Sequence, residues 1–474
     1  MIVKPLSLYN SDGREMQKFV PLEEGQAGLY CCGPTVYNYA HIGNLRAYTH
    51  WDILRRTLER FGYNVNHVMN ITDVGHLSDD GDEGEDKMIS AAREKGMSVW
   101  DIAEFFTKAF FEDIDRLNIR RPKTSCKATE HIQEMIALVK RLEERGFTYE
   151  SGGNVYFDST KLPDYGRMAL LDRQELNHGA RVGIDENKHH PLDFVLWFTK
   201  GKFENQAMKW DSPWGTGYPG WHLECSAMSS KYLGEQIDIH AGGIDHIPVH
   251  HTNEIAQSEG AFGHKWVNCW VHNEFLLMKD GKMSKSKGGF LTLQSLIDDG
   301  YDPLDYRYFL LGGHYRSQLV FSTESLDGAR SARRSLEGRV ANLKREMGEW
   351  PAEGVHVEHP QVMARLKAFD EALGEDLNTP RALAEAWGLV KDDSVPAPQR
   401  LAGLYAMDEV LALNLSQSGE EEGAEDPQLL NLLHQRQEAR AQKDWAAADA
   451  IRDELAEHGW KVVDSAEGPR LEKL

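Results

Sequence analysis

Gly28-Leu-Tyr-Cys-Cys-Gly33, followed by His41-Ile-Gly-Asn44, is the stretch on which the reading of the fold turns. The first run is short and apolar. Behind the second, Trp51, Leu54, Leu58 and Phe61 recur at helical spacing, so the segment reads as a strand, a turn and a helix that opens at His41. Such a helix presents unpaired N–H groups and the positive end of its dipole where the strand ends, a place suited to a phosphate. Gly43 lets a nucleotide approach the backbone closely, and His41 can donate a hydrogen bond as negative charge builds. From Gly28 to about Arg116, strand-like and helical patterns alternate, as in the first half of a nucleotide-binding α/β fold.

Downstream, Lys282-Met-Ser-Lys-Ser286 lies between Gly281 and Gly288-Gly289 in a polar stretch without apolar periodicity, which predicts a loop able to move. Its two ammonium groups could follow the β- and γ-phosphates of ATP as pyrophosphate departs, an interaction stronger in the transition state than before it. Alone, the pentapeptide reads equally as a solvated basic loop. Paired with a His-x-Gly turn after a strand, it points to activation of the α-phosphate of ATP and to adenylation of a carboxylate.

The two segments resemble the HIGH and KMSKS signatures of the class I aminoacyl-tRNA synthetases. Leu29-Tyr-Cys-Cys-Gly-Pro-Thr-Val-Tyr37, Asn70-Ile-Thr-Asp73, Gly220-Trp-His-Leu-Glu-Cys-Ser-Ala-Met228, Asp238-Ile-His-Ala-Gly-Gly-Ile-Asp245, His250-His-Thr-Asn-Glu254 and Gly313-His-Tyr-Arg-Ser317 are similar to the cysteinyl-tRNA synthetases, over nearly the whole length. The resemblance implies an α/β fold: a Rossmann-like catalytic domain with an insertion, then a helical bundle and a small C-terminal α+β anticodon-binding module. The expected division is 1–125 for the first half of the catalytic domain, 126–215 for the insertion, 216–262 for the second half with the metal site, 263–320 for the stem-contact region with KMSKS, 321–415 for the bundle and 427–474 for the C-terminal module.

Local patterns agree with this division. Ala128 to Val139 reads as a helix, and Asn154-Val-Tyr-Phe157 and Gln236-Ile-Asp-Ile-His240 read as strands. Apolar positions recur at helical spacing through Leu336–Leu343, Met363–Leu373, Ala382–Leu389 and Leu401–Leu411. After an acidic linker from Ser416 to Asp426, two amphipathic helices, Leu429–Lys443 and Trp445–Leu455, precede a hairpin of Lys461–Asp464 with Arg470–Leu474.

The chemistry implied by the resemblance is a reaction of L-cysteine with ATP to cysteinyl-adenylate, followed by transfer to the 3′ end of tRNA(Cys). Carried over residue by residue, His41, Asn44, Lys282 and Lys285 are catalytic. ATP is held by His41, Gly43, Asn44, Gly242, Gly243, Asp245, Lys282, Met283 and Lys285, and cysteine by Cys32, Gly33, Thr35 and Trp221. Cys32, Cys225, His250 and Glu254 stand where the family holds a Zn2+, one per chain. Spacing alone leaves that last assignment open: His250 and Glu254 would share a helix face, but isolated cysteines are also ordinary small core residues. His222, His240 and His251 read either as groups that orient metal ligands or as satisfied buried histidines. Mg2+ is expected with ATP, without a motif of its own.

Zinc would answer a problem of selection. Cysteine and serine differ by one atom, and shape separates so small a change by only ~1–3 kcal/mol. A thiol with a pKa near ~8.5 ionises on a metal far more readily than an alkyl hydroxyl. The chain departs from the commonest family pattern at Asn44, at Lys287-Gly288-Gly289, at Thr252 and in an acidic insertion after Asp73.

Composition sets outer bounds. The 474 residues, 41% hydrophobic, can bury a large core and suggest several domains. No signal peptide or apolar span is evident, and five scattered cysteines suggest a reducing cytoplasm, without membrane attachment. A monomer is expected. A net charge of −22 is awkward for an RNA-binding protein, but acid is concentrated in 79–86 and 420–426. Basic stripes remain at Arg330, Arg333, Arg334, Arg339, Lys344 and Arg345, and at His434, Arg436, Arg440 and Lys443. Alternatives are a cysteine ligase of the mycothiol pathway, which shares the adenylate but needs no anticodon-reading module; a zinc-dependent hydrolase, which leaves KMSKS without a purpose; and a non-catalytic RNA-binding protein, which explains only the tail.

Overall fold

A computed structural model describes residues 4–75, 87–170, 186–200, 207–279, 291–348, 350–351, 354–418, 427–442, 444–465 and 468–473. Strands β1 (Gln26–Cys31), β2 (Asn64–Ile71), β3 (Thr124–Lys127), β4 (Ile237–Gly243) and β5 (Val267–Asn273) form a sheet in the order β5-β4-β1-β2-β3, with every pair parallel. Leu29, Tyr30 and Cys31 are buried on both faces of the sheet, as a covered parallel sheet requires. Helix α1 (Ile42–Arg60) leads from β1 to β2, α2 (Val99–Arg116) lies before β3, α3 (Trp221–Leu233) leads into β4, and α4 (Thr252–Phe262) connects β4 to β5. Strand order reverses between β1 and β4, which opens a crevice at their carboxyl ends. The sheet runs past residues 125 and 262, because β3 and β5 belong to it.

A buried charge network holds α1 against the rest of the molecule. Asp52 accepts hydrogen bonds from Arg56 Nε at 2.8 Å, Arg307 Nη2 at 2.7 Å and the Arg120 N–H at 3.0 Å. Arg307 also donates to the carbonyls of Leu117 and Leu411, which ties α1 to the helical bundle. Burial would raise the Asp52 carboxyl, but Arg307, Arg56 and the Arg120 N–H outweigh it and hold the group below its ordinary value. Its contribution to stability is therefore present above about pH 4, the unfolded value, and is lost as the pH falls through the depressed folded one. Asp52→Ala strands the Arg307 charge and is expected to cost about 3–5 kcal/mol, read as a lower urea midpoint. An unchanged midpoint would show that the network is not structural.

Thr148–Ser151, Asn154–Phe157 and Phe194–Phe198 of the insertion make an antiparallel sheet that takes its fourth strand, Tyr218–Pro219, from beyond residue 215. The bundle consists of Thr323–Met347, Pro360–Gly374, Thr379–Val390 and Ala397–Leu411, each longer than its apolar pattern. Asp376 joins it to the catalytic part by accepting from the Tyr9 N–H at 2.8 Å, the Tyr315 hydroxyl at 2.6 Å and Arg316 Nε at 2.6 Å. That gives the Gly313–Ser317 segment an architectural use.

The expected basic stripe is partly internal. Arg333 is buried against Asp305 and Glu337, and Arg330 pairs with Asp327 while packing on Tyr301. Helices Pro427–Ala441 and Trp445–Glu457 and the hairpin Trp460–Ser465 with Gly468–Lys473 form the C-terminal module. Leu429, Leu432, Leu455, Trp460 and Leu471 give it a core of its own. Arg436 is buried there, so it is a packing residue more than a surface cation. Lys443 and the acidic stretches 79–86 and 420–426 lie outside the described residues.

Candidate functional site

His41 caps α1. Its ring Nδ1 accepts from the Asn44 N–H at 3.1 Å, and Asn44 Oδ1 accepts from the His41 N–H at 3.2 Å, a reciprocal box that satisfies two helix-end donors. Because Nδ1 is an acceptor, the neutral ring carries its hydrogen on Nε2. Burial holds His41 below the ordinary imidazole value, with the Asp245 carboxylate opposing, so a neutral donor is available. The expectation of several unpaired N–H groups here needs correction. Ile42 N–H donates to the Leu291 carbonyl at 2.9 Å and Asn44 N–H is held by His41; Gly43, which lines the cleft, carries the remaining N–H of the motif.

The cleft has a volume of about 560 Å³ and reaches from this helix end to Cys32, Trp221, Cys225 and His250. A depression of about 600 Å³ beside His314, Arg316 and Asp376 contains none of the predicted site residues. Thr35 lines the cleft in a short bridge to Thr72. Gly33 donates its N–H to Asn70 Oδ1 at 2.7 Å, and a Cβ there would lie 1.6 Å from the Asn70 carbonyl oxygen, so β1 and β2 demand glycine at this point. Trp221 opens α3 and tilts over the His250 ring at a centroid distance of 4.3 Å.

Cys32 follows β1, Cys225 lies one turn beyond Trp221 on α3, and His250 is the penultimate residue of a π-helical turn, Ile247–His251, that leads into α4 with Glu254. Single π turns of this kind recur at functional sites. The ligand atoms of Cys32, Cys225, His250 and Glu254 all lie within 4.8 Å of one another, and all four residues are buried. His250 Nε2 stands 2.6 Å from Glu254 Oε1. Two sulfurs, an imidazole nitrogen and a carboxylate oxygen converging in one buried place fit a divalent metal of borderline softness.

Charge is arranged to suit that use. Burial pushes the Cys32 thiol up. Cys225, equally buried, is held below the ordinary thiol value by a hydrogen bond from Cys32 and by His250. Burial opposes charge on His250, but Glu254 and Cys225 raise it to about 10, and His250 and His240 hold Glu254 well down against its burial.

Around the four stand further histidines. His222 Nδ1 meets His250 Nδ1 at 2.9 Å, His240 Nε2 meets Glu254 Oε2 at 2.7 Å, and His251 Nε2 lies 3.3 Å from Cys32 Sγ. A second grouping, Cys32, His240, His251 and Glu254, shares two of its members with the first. Its His240–Glu254 contact is an ordinary hydrogen bond, so we read it as the outer support of the first. Sequence reading missed the next links: His251 Nδ1 meets His272 Nε2 at 2.7 Å, and His272 Nδ1 meets the Ser11 hydroxyl at 2.7 Å.

On the β4 side, a Cβ on Gly242 would lie 2.3 Å from His251 Cε1 and 3.0 Å from His246 Nδ1. Two imidazoles therefore require this glycine, whatever the nucleotide requires. Gly243 and Asp245 line the cleft. Lys282, Met283 and Lys285 lie outside the described residues; the flanks of their segment are fastened to α1, since Arg46 donates to the Phe275 carbonyl and Leu291 accepts from Ile42.

Residues 18–331 match the family model described as tRNA synthetases class I (C) catalytic domain, and residues 424–468 match that of the cysteinyl-tRNA ligase anticodon binding domain. A cysteine–tRNA ligase of Treponema denticola is 53% identical over 99% of this chain and 100% of its own length. Cysteine–tRNA ligase 1 of Burkholderia lata is 48% identical over 98% and 97%. A solved structure of Mycobacterium tuberculosis methionyl-tRNA synthetase with methionyl-adenylate is similar in fold, with a TM-score of 0.56 at 17% identity over 89% of this chain and 96% of that one. With catalytic and anticodon-binding models both matched and near full-length relatives this close, the chain belongs to the cysteine–tRNA ligase family of class I aminoacyl-tRNA synthetases.

Proposed function

We infer that this chain activates L-cysteine with ATP and transfers it to the 3′ end of tRNA(Cys). The observation that carries this is that Cys32, Cys225 and His250, clustered with Glu254, line one cleft with the His41 cap of α1. The cysteine carboxylate attacks the α-phosphorus, a new C–O–P linkage forms and pyrophosphate leaves. A terminal ribose hydroxyl of the tRNA then attacks the acyl carbon and AMP departs. His41 Nε2–H donates to the α-phosphate as charge builds, Asn44 fixes the ring that does so, and Asp245 holds ribose hydroxyls. Lys282 and Lys285 follow the pyrophosphate, with Met283 and the glycines 242 and 243 beside the nucleotide, and Mg2+ accompanies ATP. Trp221, Thr35 and Gly33 shape the cysteine pocket. A Zn2+ held by Cys32, Cys225, His250 and Glu254 would supply a site that favours a thiolate over a hydroxyl.

No helix among the described residues is long and apolar enough to cross a membrane, and the five cysteines are free and buried, which supports a cytoplasmic setting. The domain division given above, with the catalytic sheet extended to Lys127 and Asn273, and a monomeric state belong to this reading. Cysteine-dependent pyrophosphate exchange together with charging of tRNA(Cys) tests it. The mycothiol-pathway alternative is not favoured, since the tail matches an anticodon-binding model.

Ending the chain near Gly419 removes a module with a separate core. Pyrophosphate exchange is expected to persist, because every residue assigned to activation precedes the cut. Charging is expected to fall through a higher tRNA KM with a shallower salt dependence, since phosphate contacts and their released counterions are lost. A truncated enzyme that charges tRNA like the full chain would show that the module reads no RNA.

A further inference from the structure

His246 is a cleft residue with no role in the account above. It lies in the short turn between Gly243 at the end of β4 and the π-helical turn that carries His250, next to Asp245. Its ring stands 5.2 Å from that of His250, 5.1 Å from that of His251 and 6.3 Å from that of Trp221, centroid to centroid. Nδ1 faces Gly242 closely enough that a Cβ there would sit 3.0 Å away, and this nitrogen is buried with no hydrogen-bond partner among the described residues.

That burial decides which nitrogen bears the hydrogen. A neutral imidazole has one N–H and one bare nitrogen. An N–H sealed against Gly242 would forfeit a hydrogen bond for nothing, whereas an N–H on Nε2 can be satisfied from the cleft. The ring therefore offers a donor to whatever occupies the cleft. The assignments in the Proposed function fix what that is: the thiol end of the ligand lies at His250 and the ribose end at Asp245. His246 lies near both, next to Asp245 in the chain and 5.2 Å from the His250 ring, and of the ligand atoms between thiol and ribose, the α-carbon with its amino group and the acyl-phosphate linkage, only the linkage carries anionic oxygens that accept.

We propose that His246 contacts the substrate, donating a hydrogen bond from Nε2 to an anionic oxygen of the acyl-phosphate linkage as the adenylate forms. The contact adds a donor on the β4 side of the cleft to the one His41 supplies from α1. It deepens the cysteine-activation reading and rests on it.

The test compares His246→Leu with His246→Gln in the full-length protein, using three probes: L-cysteine, ATP, and the non-hydrolysable sulfamoyl analogue of cysteinyl-adenylate. Loss of one hydrogen bond to a charged group is expected to weaken binding of the analogue by roughly 10- to 100-fold in the leucine variant. Affinities for cysteine alone and ATP alone, and bound metal, stay near the parent's. Glutamine, which keeps an N–H donor, restores part of the loss. Unchanged affinity of the leucine variant for the analogue would overturn the proposal. So would loss of metal from both variants, because His246 would then be packing support for His250. Failure of the cysteine-activation reading shows separately, as absence of cysteine-dependent pyrophosphate exchange in the parent.

Discussion

Cys225→Ser is expected to strip the metal from the protein and to remove most of its preference for cysteine over serine. The parent should bind about one zinc per chain, and the variant close to none. Cys225 is the member of the thiol pair held below its ordinary value, by Cys32 and His250. Its sulfur is one of the four converging donors, and a serine hydroxyl cannot replace a thiolate at neutral pH. The substitution is small and leaves α3 intact, so folding and ATP affinity should change little while cysteine affinity falls steeply. Discrimination against serine should shrink toward the ~1–3 kcal/mol that shape alone provides. Metal analysis that finds no zinc in the parent, or a variant that still rejects serine as the parent does, would end the idea of selection by metal.

How far the sequence carried the reading follows from the reach of each signal. Strand β1, the turn and α1 were legible because burial, period and motif coincide within a few tens of residues. The bundle helices were legible for the same reason, as was the terminal hairpin. The line from Cys32 through His251 and His272 to Ser11 was not, because its two end links join residues more than 200 positions apart, and periodicity says nothing about which segments meet. Cys32 and Cys225 came together as a candidate pair only through family resemblance. Arg333 and Arg436 show the converse error. Charge spacing on a helix marks a face, but not whether that face meets solvent; Asp305 and Glu337 occupy one of them. His246 carried no sequence signal at all, since its use depends on Gly242 lying beneath its ring. The Asn44 departure, by contrast, has a local explanation. The Asn44 side chain closes a capping box by accepting from the His41 N–H, while its backbone N–H, which any residue there would supply, fixes the tautomer that the proposed chemistry needs.

Lys285→Ala is expected to lower cysteine-dependent pyrophosphate exchange by about 10²–10³ with little change in affinity for cysteine. The pentapeptide sits between two anchored points. Phe275, just before the strand Leu276–Met278, offers its carbonyl to Arg46, and Leu291 offers its own to Ile42; both partners belong to the helix whose first turn meets the α-phosphate in this reading. Charge moves onto the β- and γ-phosphates as the bond to the α-phosphorus breaks, so an ammonium there gains strength along the reaction coordinate. Losing it costs about 3–4 kcal/mol at the transition state and much less in the ground state. The loss should therefore appear in kcat, with KM for cysteine nearly constant. Lys285→Arg, which keeps the charge but changes its shape, should recover part of the rate. Exchange at the parent's rate in Lys285→Ala would mean that the pyrophosphate is neutralised elsewhere, and the assignment of this lysine to the leaving group would fall.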